Sequence, residues 1–335
     1  MWYECPIKVL WNRAVDLGVL LRRNFRNQAL IAAGVFTTLV LLAYHSAIAQ
    51  SLTPATAEPE GGATFSADPV PVLLDAGFRN LYELNFEGAR SKFLAYERAR
   101  PQDPMGAVAE AASHLYEQFN AKGVFTSAFF LNDERFLKGV EGSPAENHNE
   151  PFLLANSRAR EIAKAQLKLN PNDRQALLVL TMADGMESDY DALIIKKQMA
   201  GLSLMKQAEA EATKLLANDP EAQDAYLALG ASNYVIGCLP GYKRAFLWFG
   251  GVHGDREHGI ELMQRAAEHG HYLSPFAKIM LALAYEREHE VGRARALLAD
   301  LAKEFPSNPL YAHELALIDH SSSDSSCGAR SSTPC

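Results

Sequence analysis

From Pro275 to Pro309 the apolar positions recur with the period of a helix. Ile279, Leu281, Ala282 and Tyr285 mark one helix running from Pro275 to Arg287. Val291, Ala294, Leu298, Leu301 and Phe305 step by three and four residues along a second. The charged run from Glu286 to Glu290 reads as a solvated link between the two. Pro306-Ser307-Asn308-Pro309 stops the second helix. Two helices, a short link and a closing proline make one helix-turn-helix unit.

The unit recurs along the chain. Gly77, Ala89, Phe93 and Pro101 take equivalent places in LDAGFRNLYELNFEGARSKFLAYERARP, with Asn80 where the tyrosine is expected. Tyr226, Leu229-Gly230 and Tyr234 repeat a first helix, and Ala159 with Pro171 and Ala208 with Pro220 repeat a second. Small residues at these places let paired helices approach closely while large ones fill the space beside them. Pro101 to Pro171 spans 70 residues, close to two 34-residue periods. Pro171 to Pro220 spans 49 and Pro220 to Pro306 spans 86, so insertions interrupt the array.

This grammar resembles the tetratricopeptide repeat. Leu281-Ala282 fills its Leu-Gly pair, Tyr285 its tyrosine, Ala294 its small position and Pro306 its closing proline, while Leu298 replaces its phenylalanine. The segment from Gly237 to Glu288 also resembles uncharacterised exported bacterial tetratricopeptide-like proteins. It is distantly similar to the tetratricopeptide repeat domain 39 family. The resemblance implies an all-α fold, a right-handed superhelix of about five irregular helix pairs over residues 71–319.

It also implies that the first helices line a concave groove. Some families clamp a partner's C-terminal carboxylate there with Lys and Asn. The matching positions here are Leu74, Phe78, Leu178, Met182, Leu227, Ala231, Ile279 and Leu283, so the expected groove is apolar. Such a surface does not stay bare in water. Either the insertions beginning at Lys122, Tyr190 and Tyr242 cover it, or part stays open for an apolar peptide, a lipid chain or another helix.

The ends of the chain set its expected location. Four arginines (Arg13, Arg22, Arg23, Arg26) precede an uncharged apolar run from Ala29 to Tyr44, followed by Ala47-Ile48-Ala49. That order is an export signal cut after Ala49, with an uncleaved signal anchor as the alternative. Residues 1–49 are therefore read as signal or anchor, with 29–49 a candidate membrane tether. Residues 50–70 are read as a disordered linker and 320–335 as a disordered polar tail. Residues 1–49 carry +3 of a chain total of −8, which leaves −11 for the remainder. So acidic a surface argues against nucleic-acid binding.

Candidate chemistry is sparse. The chain has no H-E-x-x-H, no phosphate loop followed by Lys-Ser or Lys-Thr, and no G-x-S-x-G. His253, His258, His269 and His271 show no metal-ligand spacing. Asp255 reads as a helix cap beside Gly250-Gly251 and Gly254. Cys238 reads as a small packing residue. No catalytic residue, cofactor or metal is expected. The sequence points to a non-enzymatic adaptor with an unidentified protein partner, or to a carrier of an apolar ligand.

Overall fold

The computed structural model describes residues 69–140, 150–249 and 252–328, which lie in a compact unit from Phe65 to Cys335. The expected signal or anchor, the linker up to residue 68, Gly250-Gly251 and residues 329–335 lie outside the described residues. Among the described residues there are helices and no strand, and no helix is long and apolar enough to cross a membrane.

Five antiparallel helix pairs follow one another. The first joins α1 (Pro69–Tyr82) to α2 (Phe86–Ala99). The second joins α3 (Pro104–Ala121) to α6 (Pro151–Leu169), with the short helices α4 (Ser127–Phe130) and α5 (Asp133–Lys138) between them. The third joins α7 (Arg174–Asp189) to α8 (Gln198–Asn218) through a π-helical turn at Tyr190–Ile194. The fourth joins α9 (Tyr226–Cys238) to α11 (Arg256–His269), with α10 (Gly241–Phe249) between them. The fifth joins α12 (Ser274–Arg287) to α13 (Val291–Glu304), and α14 (Pro309–Gly328) covers its open side.

This order corrects the expected phase. The 70 residues from Pro101 to Pro171 hold one pair with an insertion between its helices, not two pairs. The extra length between Pro171 and Pro220 comes from the π turn and a 21-residue α8. Between Pro220 and Pro306 it comes from α10 and its flanks. Periodicity of the prolines cannot separate these cases, because an insertion inside a pair and an additional pair consume similar lengths of chain. The helix from Pro309 also runs nine residues beyond Asp319, into the segment that composition alone marks as a polar tail. The Ser-rich segment there is a poor helix former, and it continues the hydrogen-bond ladder of a helix already nucleated.

The first and last pairs share one geometry. Leu84 and His289 both occupy the left-handed region, at φ 60° and 64°, in the middle of three-residue links. Asn85 N–H donates to Asn80 O at 2.9 Å and Glu290 N–H to Tyr285 O at 2.7 Å, closing each preceding helix in the same way. Ala89 and Ala294 lie the same 205 residues apart as Leu84 and His289, and both are fully buried. Leucine at Ala89 or Ala294 is expected to overpack the helix contact and cost about 1–3 kcal/mol. Urea titration checks this, and an unchanged midpoint would rule out the assigned register.

Local signals set the helix starts. Asn85, Asp103, Asp173 and Asp255 each accept a backbone N–H one turn in, from Gly88 (3.0 Å), Met105 (2.9 Å), Ala176 (2.9 Å) and His258 (3.1 Å). Pro104 and Pro151 occupy first-turn positions, where a missing N–H costs no helix bond.

Candidate functional site

The eight groove positions lie on α1, α7, α9 and α12, four of the five first helices. Leu74, Phe78, Met182, Leu227, Ile279 and Leu283 are buried in the main core, and Leu178 and Ala231 are half-buried against it. On α1 the cover comes from contact between the two ends of the array. Phe78 stacks on Tyr272 with ring centroids 4.7 Å apart, and Tyr82 meets Phe305 at 5.6 Å. Tyr82 Oη donates to Tyr272 O at 2.8 Å, and Asn308 Nδ2 donates to Tyr82 O at 2.8 Å. Helix α1 is thereby fastened to the turns on either side of the last pair.

The insertions divide into two kinds. The first buries Val124, Phe125, Phe129 and Phe130, with Phe125 between Tyr116 (5.0 Å) and Phe276 (6.4 Å). The second buries Tyr190 and Ile194, with Tyr190 against Phe152 at 5.1 Å. The third leaves its aromatic residues outside: Tyr242 is 74% exposed and Trp248 is 60% exposed.

The repeat residues do steric work. A Cβ on Gly77 would lie 2.3 Å from the Phe93 ring. One on Gly230 would lie 2.7 Å from Met263 N and 2.8 Å from Gly259 O, so α9 and α11 meet backbone to backbone. Tyr285 is buried and accepts from Gln264 Nε2 at 2.6 Å, with the Arg293 guanidinium 4.0 Å above its ring. Pro306 sits exposed in the turn after buried Phe305.

Polar ties in the core had no signature in the sequence. Asp224, buried at the start of the fourth pair, accepts from Tyr272 N at 3.1 Å and Leu273 N at 3.0 Å. It holds the turn on which Phe78 stacks. Arg160 of α6 reaches Asp184 at 2.6 Å and pairs with Glu187. Burial, and then the charge of Asp184, push the Glu211 carboxyl up to about 7. The candidate histidines are dispersed: His258 faces Glu261 at 3.4 Å, while His271 faces Asp75 at 3.0 Å. Among the described residues no group of acids, His and Cys has the arrangement of a metal site. Cys238 is half-buried, its thiol pushed up by burial.

The charged link is more structural than a solvated face. Arg287 donates to Phe130 O at 3.1 Å, and Glu288 accepts from Arg256 at 3.0 Å. Burial, with the nearby charge of Glu314, pushes Glu286 up to about 7. Glu314 itself is buried and accepts the Ser127 N–H at 3.2 Å. A carboxyl with a folded pKa above its unfolded value binds more protons in the folded state, so its folding becomes less favourable as pH rises from about 4.5 to about 7. The protein is therefore expected to melt at a higher temperature at about pH 5.5 than at about pH 8, with Glu286→Gln reducing the difference. A melting temperature that rises with pH across that window would contradict the assignment.

The architecture is tetratricopeptide-like. It rests on five stacked helix pairs and on the paired small and large residues between their helices. No family model matches the chain, and no curated protein matches it. In solved structures the chain is similar to a thermophilic TPR protein of Thermus thermophilus. That similarity covers 74% of this chain and 98% of the other at 15% identity, with a TM-score of 0.41.

Proposed function

We propose that this protein is a non-enzymatic adaptor of the bacterial envelope, exported or tethered through residues 29–49, that binds protein partners. Helix α10 carries this reading. It hangs between the two helices of the fourth pair and presents Tyr242 and Trp248 to solvent. Exposed Trp and Tyr are the residues that most often anchor protein interfaces, because they bury large area for little lost side-chain freedom. The burial of most of the groove favours this outer surface over the groove as the contact point. The basic leader ahead of the apolar run, followed by Ala47-Ile48-Ala49, supports the location.

Photo-crosslinking in cells tests the reading, with the crosslinker at position 242 or 248 and at exposed Leu169 as control. A discrete protein adduct from α10 that is absent from the control supports the adaptor. Equal labelling from both sites removes α10 as the partner surface. Mass spectrometry of the mature N-terminus tests the location, since a new terminus at Gln50 means cleavage and an intact leader means an anchor.

A further inference from the structure

Helix α10 is shaped by its own flanks. Pro240 O accepts from Lys243 N at 2.9 Å and from Arg244 N at 3.0 Å, which closes the first turn. Arg244 Nη1 donates to Gly237 O at 3.2 Å, and Val252 N donates to Leu247 O at 3.0 Å at the far end. The Trp248 ring meets His253 edge-on at 6.3 Å. A partner therefore meets a helix that is already folded, so little of the binding energy is lost in ordering it.

One face of that helix has a defined profile. Tyr242, Ala245 and Trp248 follow at intervals of three residues and all three are exposed, whereas Lys243 and Leu247 on the other side are half-buried. Six residues of helix set the two aromatic residues about 9 Å apart along the axis, with only the methyl group of Ala245 between them. The face is a notch between two knobs. It fits a groove that offers two apolar pockets with a ridge between them.

Charge narrows the partner further. From Ala225 to Gly254 there is no acid, and Lys243 and Arg244 are the only formal charges, in a chain of net −8. Arg244 is exposed one turn before Trp248, and beyond the N–H it gives to Gly237 O its fork has further N–H groups for a carboxylate. Two cations are fewer than the roughly 4–8 that hold a basic segment on an anionic membrane. The positions expected to line the chain's own groove are packed in its core, so a second copy does not supply the slot there.

We propose that the partner protein receives α10 in an apolar groove, with the Tyr242 and Trp248 rings in two pockets and a carboxylate on the groove's rim meeting Arg244. This inference rests on the reading of α10 as the partner surface and adds the chemistry of what α10 meets.

Photo-crosslinking in cells tests it, with p-benzoylphenylalanine, itself aromatic, at position 242 of the full chain. Arg244→Glu is expected to lower the yield of the protein adduct about tenfold, while Arg244→Lys retains most of it. Ala245→Leu fills the notch and is expected to lower the yield about tenfold as well. On a flat apolar surface the added bulk would raise it instead. Both positions are exposed, so the melting curves of parent and variants should coincide. A discrete protein adduct that survives Arg244→Glu or strengthens with Ala245→Leu overturns this inference alone, as does an adduct joining two copies of the chain. No protein adduct, or a lipid adduct in its place, removes the reading of α10 and this inference with it.

Discussion

Truncating Phe93 to alanine is expected to destabilise the folded unit by about 3–5 kcal/mol. Phe93 is fully buried between α1 and α2, where its ring meets Phe78 edge-on at 5.2 Å and lies under the bare backbone of Gly77. Removal of the ring leaves a cavity that Gly77 cannot fill, because it has no side chain to relax into the space. The converse change, Gly77→Ala, pushes a methyl group into the ring and is expected to cost about 1–3 kcal/mol. Because the two changes act on the same space, the Gly77→Ala, Phe93→Ala double variant should be more stable than the sum of the single losses implies. Urea titration of the full chain measures all three. Strict additivity would mean that Gly77 and Phe93 do not share a contact.

That pair shows what the sequence carries and what it does not. Gly77, Phe93, Gly230 and Ala294 are legible because close helix approach demands a small residue at a fixed spacing from a large one. Any chain with such pairs declares its helix contacts locally. The pairing of distant elements is not declared in this way. Nothing in the spacing of Tyr82, Tyr272, Phe305 and Asn308 indicates that the first helix will fasten to the last pair, since contacts over such separations follow from how successive pairs rotate. The groove positions were therefore legible as apolar, whereas the cover over Phe78 depended on this closure. Insertions were legible as extra length, but their place within or between pairs was not.

Replacing Arg160 with methionine tests the part of the core that the sequence concealed. The guanidinium is the cation of a cluster in which Asp184 is almost wholly buried and Glu187 and Glu211 are close by. Asn156 Nδ2 also donates to Glu187 at 3.0 Å, fixing that carboxylate against α6. Methionine retains most of the packing volume and removes the charge. Loss of one member of a buried ion pair leaves the other uncompensated, and the expected cost is about 3–5 kcal/mol near neutral pH. Burial already raises the Asp184 carboxyl while the Arg160 charge opposes that rise, so removal of Arg160 raises it further. The folded variant then binds more protons than its unfolded chain, and its stability must increase as pH falls through the raised value. The deficit relative to the parent should accordingly be largest at about pH 8 and shrink towards about pH 5. Adding Asp184→Asn should recover part of the loss at about pH 8 and little at about pH 5, where the acid is already being neutralised. A deficit that stays constant across that range would mean that Arg160 acts through packing alone and that the carboxylates do not depend on its charge.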